Sequence, residues 1–136
     1  LHYPLRRQRQ MCIRDSWHTV DAPLNKELVK RTADKLKIVP NYSLAGSYVC
    51  TKILIDGIVK AGTVDQKAVI AALEGMKFDG LTGGEEIRKA DHQVVKDYYL
   101  LKGKAKSKMK DAADYVDVVS SGKSFLPVDK TGCKLA

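Results

Sequence analysis

At 136 residues the chain is about one domain long, and 44% hydrophobic with 29% charged residues is the composition of a folded protein, not a disordered one. No run approaches the ~20 apolar residues a membrane span requires, and no secretory h-region stands at the N-terminus. The net charge of +8 raises a nucleic-acid partner, but residues 1–16 hold four Arg and one Asp, so +3 of it sits in that short arm.

The arm, LHYPLRRQRQMCIRDS, shows no helical or strand period. A basic arm would bind nucleic acid or an anionic membrane, and a tail would be disordered. RRQRQMCIRDS also resembles the peptide made when a sequencing adapter is translated in frame. On that reading Arg6 to Arg14 carry no function, Cys12 is no redox residue, and residues 1–16 are an artefactual, disordered arm ahead of a protein sequence that starts near Trp17.

WHTVDAP is a short extended or loop lead-in. Pro23 suits a first helical turn, with Asp21 or Ala22 at the cap. The spacing predicts a helix over 24–36, with Leu24, Leu28, Val29, Ala33 and Leu36 on one side and Pro40 as its stop. A second helix is predicted over 44–61. Its charges Lys52, Asp56 and Lys60 form one narrow stripe of possible ion pairs, and apolar residues cover most of the rest. Gly62 suits the position after its end. Thr63 or Asp65 caps a third helix over 66–76. KFDGLTGG then reads as a bend, Glu85–Lys89 as a strand, residues 90–93 as a turn and Val94–Lys102 as a second strand. Alternating lysines follow from Lys102 to Lys110. Asp111–Ser121 reads as a short helix or turn, and the remainder as an irregular tail.

This inventory is unbalanced. A helix apolar around most of its girth is buried on several sides. At roughly 25 cal/mol per Å² that burial is worth several kcal/mol, but two or three short strands barely supply the surface. A missing sheet is expected.

The chemistry-bearing patterns each have a bland alternative. Gly80–Gly84 (GLTGG) could cradle a phosphate, but it lacks the Lys-Ser/Thr of a P-loop and does not follow a strand, so a structural turn is favoured. Asp91-His92 has no partner motif for acid–base or metal work and reads as a hairpin turn. Glu85 and Glu86 point to opposite strand faces and cannot share a site. The lysine run beside Tyr98, Tyr99 and Tyr115 could form a nucleic-acid surface, yet alternating lysine equally protects an edge strand. Cys50 reads as a small core side chain, Cys133 as a disulfide candidate in a loose tail. The cysteines show neither CxxC nor Cys/His spacing. No catalytic constellation, cofactor motif or metal-ligand set is legible.

The ordered set VDAPLNKELVKR, PNYSLAGSYVCTKILIDGIVKAG, DQKAVIAALEGMKFDGLTGGEEIRKADHQ, VVKDYYLLKGK and DYVDVVSSGKSFLPVDKTGCKL resembles the C-terminal part of type I periplasmic solute-binding proteins of the branched-chain amino acid ABC importer family. The resemblance covers roughly 120 residues. It implies an α/β chain with a partial type I periplasmic-binding-protein fold and an incomplete sheet. Residues 17–93 would be a first-lobe portion, 94–103 a hinge or crossover strand, and 104–136 the tail. It implies a solute carrier in the periplasm or outside the cell, whose signal peptide is absent here. The carrier would bind a branched-chain or other amino acid, an amide or a similar small solute. It would deliver that solute to a membrane permease, without catalysis, cofactor, nucleic acid or direct membrane insertion. Asn41, Tyr42 and Ser43, just before the apolar helix, would contact ligand, with Tyr42 covering its side chain. The same fold also serves as the sensing domain of receptors and regulators. A small basic nucleic-acid binder is the reading from another class.

Overall fold

The computed structural model describes residues 11–14, 18–123 and 125–133. Strand β1 (Met11–Arg14) is followed by helices α1 (Pro23–Leu36), α2 (Tyr42–Ala61) and α3 (Gln66–Leu73). Then come β2 (Lys77–Gly80), β3 (Gly83–Ile87), β4 (Val94–Val95), β5 (Tyr98–Gly103), β6 (Val116–Gly122) and a short α4 (Val128–Thr131).

Helix α1 starts as the sequence predicts. Ala22 is extended and offers no side-chain cap, so Pro23, whose fixed φ and missing N–H suit the first turn, sets the start. The stop differs. Lys37 turns left-handed at φ 56° and its N–H returns to the Ala33 carbonyl at 3.2 Å, so the helix closes on itself before Pro40 is reached. The buried face is also rotated from the predicted one. Asn25, Leu28 and Thr32 are buried, whereas Ala33 and Leu36 are exposed.

Helix α2 begins two residues earlier than the apolar run, because the Asn41 Oδ1 accepts the Leu44 N–H at 2.9 Å and so caps the first turn. Gly62, at φ 65°, ends it. Lys52 pairs with Asp56 one turn on, but Lys60 donates instead to the Ala72 carbonyl at 2.8 Å. That bond ties α2 to α3 beside a close approach of the two helices. There a Cβ on Gly57 would lie 2.7 Å from Leu73 Cδ2. Asp65 caps α3 through the Ala68 N–H at 3.0 Å. The helix stops at Leu73, short of the predicted Met76, because Gly75 (φ 70°) turns the chain so that the Ile87 N–H reaches the Met76 carbonyl at 2.9 Å.

Two antiparallel three-stranded sheets follow, ordered β2-β3-β4 and β1-β5-β6. KFDGLTGG is not merely a bend: Gly80 pairs Gly83 across the two-residue turn Leu81-Thr82, making a hairpin. Glu85–Lys89 was expected as the strand, and β3 lies two residues earlier. The second expected strand is divided. Val94–Val95 pairs with β3, whereas Tyr98–Gly103 belongs to the other sheet. Asp111–Ser121 is likewise corrected: β-branched Val116, Val118 and Val119 favour extended chain and lie in β6, beside β5 with a bulge at Leu100/Leu101. The tail expected to be irregular contains α4. Within the arm, Met11–Arg14 pairs with Arg14 opposite Tyr99, a strand where no period was legible. Arg6, Arg7 and Arg9 lie outside the described residues.

Leu28, Ala45 and Leu81 form the core between α1, α2 and the β2–β3 turn. The far side of α2 remains in solvent: Leu54, Ile55 and Val59 are 52%, 54% and 75% exposed. Among the described residues no element covers that side of the apolar helix. Cys50, expected in the core, is exposed on the same helix.

Candidate functional site

A concave site of about 460 Å³ opens where the start of α2 meets the loop before α1 and the loop before β6. The sequence assembles it from three distant segments. Asn25 is the anchor. It is 2% exposed, and its side-chain amide donates to the His18 carbonyl at 3.2 Å and the Val20 carbonyl at 3.0 Å. Those bonds satisfy buried polar groups and press the 18–20 loop onto α1, which brings His18 to the wall.

The α2 side of the site is Val39, Pro40, Asn41, Tyr42 and Ala45. Asn41 lines it while capping the helix. Tyr42 stands at the first helical position, 58% exposed, and lines the cleft. Ser43 is exposed on the same turn and is not among the lining residues. Of the three residues the sequence singled out, the structure thus brings two to one cavity.

The opposite wall is Ala112, Ala113 and Tyr115. Lys104 sets that loop by pairing with Asp114, whose other oxygen accepts the Lys110 N–H at 3.0 Å. The pairing holds the Asp114 carboxyl below its usual range, chiefly through the Lys104 hydrogen bond. It also draws one member of the alternating lysine run away from any basic stripe. His18 is pushed below the ordinary histidine pKa by burial, against an opposing pull from Asp111 and Asp114. At neutral pH its imidazole is therefore uncharged.

The arrangement is a partly apolar, aromatic-edged cavity with amide and imidazole groups, suited to holding an organic solute. No cluster of three His, Cys, Asp or Glu able to hold a metal occurs among the described residues. Asp91-His92 forms a turn as expected, but His92 pairs with Glu74 at 3.2 Å and Asp91 with Arg88. Glu85 and Glu86 do point apart: Glu85 is 3% exposed, and Glu86 faces Lys77 at 4.0 Å. Sequence reasoning missed His18, Asn25 and Tyr115. Only Asn25 left a signal, as a polar residue between Leu24 and Leu28 on an apolar face.

The profile of the family described as periplasmic binding protein matches residues 11–108. The chain is 48% identical to the amino acid ABC transporter substrate-binding protein of Pseudomonas fluorescens Pf-5, at TM-score 0.88, over 92% of this chain and 34% of that one. It is 27% identical, at TM-score 0.74, to a branched-chain amino acid ABC transporter periplasmic ligand-binding protein of Burkholderia xenovorans LB400, over 84% of this chain and 30% of that one. An ABC-type branched-chain amino acid transporter of Rhodopseudomonas palustris CGA009 shares the fold at 24% identity and TM-score 0.73, over 88% and 32% of the two chains. The chain spans about a third of the length of these structures. Among curated proteins no match is found.

Proposed function

The chain belongs to the periplasmic binding protein family, and from that premise we propose that it contributes to the solute-binding component of an ABC importer. It takes an amino acid, an amide or a similar small solute and passes it to a membrane permease, in the periplasm and without catalysis. The similarity to amino acid and branched-chain amino acid transporter proteins supports this ligand class. No helix among the described residues is long and apolar enough to cross a membrane.

The observation that carries the reading is the cleft at the start of α2, edged by Tyr42 and Tyr115. Asn41 and Tyr42 are proposed to contact the solute, with Tyr42 lying over its uncharged part and Ser43, on the same turn, bordering the site. With His18 neutral and apolar Val39, Pro40 and Ala45 beside it, this wall favours the uncharged portion of an amino acid over its carboxylate. Residues 17–93 are read as part of one lobe, 94–103 as a crossover strand and 104–136 as the tail. The change of sheet between Val95 and Tyr98 supports that division.

Amide chemical shifts of the ¹⁵N-labelled chain, titrated with millimolar leucine, alanine, glutamine and urea, test the cleft. Saturable shifts at Asn41–Ala45 and Tyr115, weakened by Tyr42→Ala, are expected for at least one solute. Shifts at none of these positions with any solute would sink the assignment.

A further inference from the structure

The backbone leaves the β2-β3-β4 sheet for the β1-β5-β6 sheet at Lys96-Asp97, between β4 and β5. After β6 it returns. Lys123 Nζ donates to the Gly84 carbonyl at 3.4 Å, across a separation of 39 residues. The Phe125 ring lies 5.4 Å from that of Tyr98, inclined at 57°. The Arg88 Nη2 donates to the Leu126 carbonyl at 3.2 Å.

Arg88 is prepared for that contact. Its Nε donates to Asp91 Oδ1 at 2.8 Å and its Nη2 to the other carboxylate oxygen. The Arg88 side chain is 21% exposed and that of Asp91 6%. The planar fork is fixed by one carboxylate while still having an N–H to offer elsewhere. Leu126 is 57% exposed, so its own side chain adds little to the contact, and the Phe125 ring against Tyr98 supplies the apolar part.

We propose that Lys123, Phe125 and Leu126 act as a strap that holds the two sheets in one relative orientation, with Arg88 as its latch and Phe125 as its seat. It adds a second tie beside the Lys96-Asp97 connection, and Arg88 acts as a positioning residue.

Distances between nitroxides at Lys77→Cys and Ser120→Cys, one on each sheet, test this in the full chain with Cys12, Cys50 and Cys133 replaced by Ser. A single narrow distribution is expected for that background. Arg88→Lys, which keeps the charge but loses the fork, is expected to widen it at least twofold, with far-UV circular dichroism unchanged. Phe125→Ala is expected to do the same, and lies outside both sheets, so it remains informative if Arg88→Lys unfolds the β3–β4 turn. A distribution of unchanged width in Phe125→Ala would overturn the strap. Widening with Phe125→Ala but not with a folded Arg88→Lys would overturn the latch.

Discussion

The Glu85 carboxylate lies across the backbone of Gly80, where a Cβ would fall 2.0 Å from Glu85 Cδ. Glu85 is held there by its own turn. Its Oε1 accepts the Thr82 N–H at 3.0 Å and the Thr82 hydroxyl at 2.8 Å, while Oε2 is buried without a partner among the described residues. Gly80→Ala must displace a buried, hydrogen-bonded group and is expected to cost about 1–3 kcal/mol. In a Glu85→Ala background the same substitution is expected to cost less than about 1 kcal/mol, because the two residues are in contact and do not add. Urea unfolding of the four proteins checks the cycle, and equal costs in both backgrounds would refute the contact.

Asn41 both lines the cleft and caps α2. Asn41→Ala is expected to lose about 1 kcal/mol of stability, and Asn41→Asp to retain most of it. Tyr42→Ala, at a 58% exposed position, is expected to stay within about 0.5 kcal/mol. Thermal denaturation separates the two effects. A loss at Tyr42 matching that at Asn41 would show the ring to be structural.

The lowered pKa of His18, caused first by burial, sets a pH dependence. The unfolded chain protonates at about 6.5, before the folded one does. Between that value and the lower folded pKa the unfolded state binds more protons, so stability falls as pH drops below about 6.5 and is flat in this respect above it. His18→Gln is expected to reduce the slope of unfolding free energy against pH just below about 6.5. An unaltered slope would assign the dependence to other groups.

The two sides of the helical layer predict opposite responses. Leu28, 4% exposed in the core, is expected to lose about 2–5 kcal/mol as Leu28→Ala. Val59, 75% exposed, is expected to tolerate Val59→Lys within about 0.5 kcal/mol. Chemical denaturation of the two variants checks this. A large loss at Val59 would mean that another surface covers α2 in solution.

Local structure was most legible where a single residue type enforces it. Pro23, Gly62 and Asp65 mark helix ends through backbone geometry and short-range hydrogen bonds, and those ends fall within a residue or two of expectation. The α3 end was missed because Gly75 and the ladder from Ile87 to Met76 compete for its last turn. The β6 strand was missed because the extended preference of Val116, Val118 and Val119 is diluted by polar neighbours, and pairing with β5 decides it. Of the candidate site, Asn41 and Tyr42 came from the family resemblance, which implies that the segment before this helix lies close to the ligand. His18 and Tyr115 were not legible, since nothing local marks residues that meet only across the fold.

The family and the class of fold were carried by the order of segments from Val20 to Leu135, because that order sets helix and turn positions residue by residue. The sequence also determined by itself that α2 has more apolar girth than its neighbours cover, since that is a matter of composition. Which face of α1 is buried, which sheet each half of Val94–Gly103 joins, and how Arg88 reaches Leu126 were decided only in the tertiary structure. Each depends on a partner supplied from far along the chain, and a local pattern holds no record of that partner.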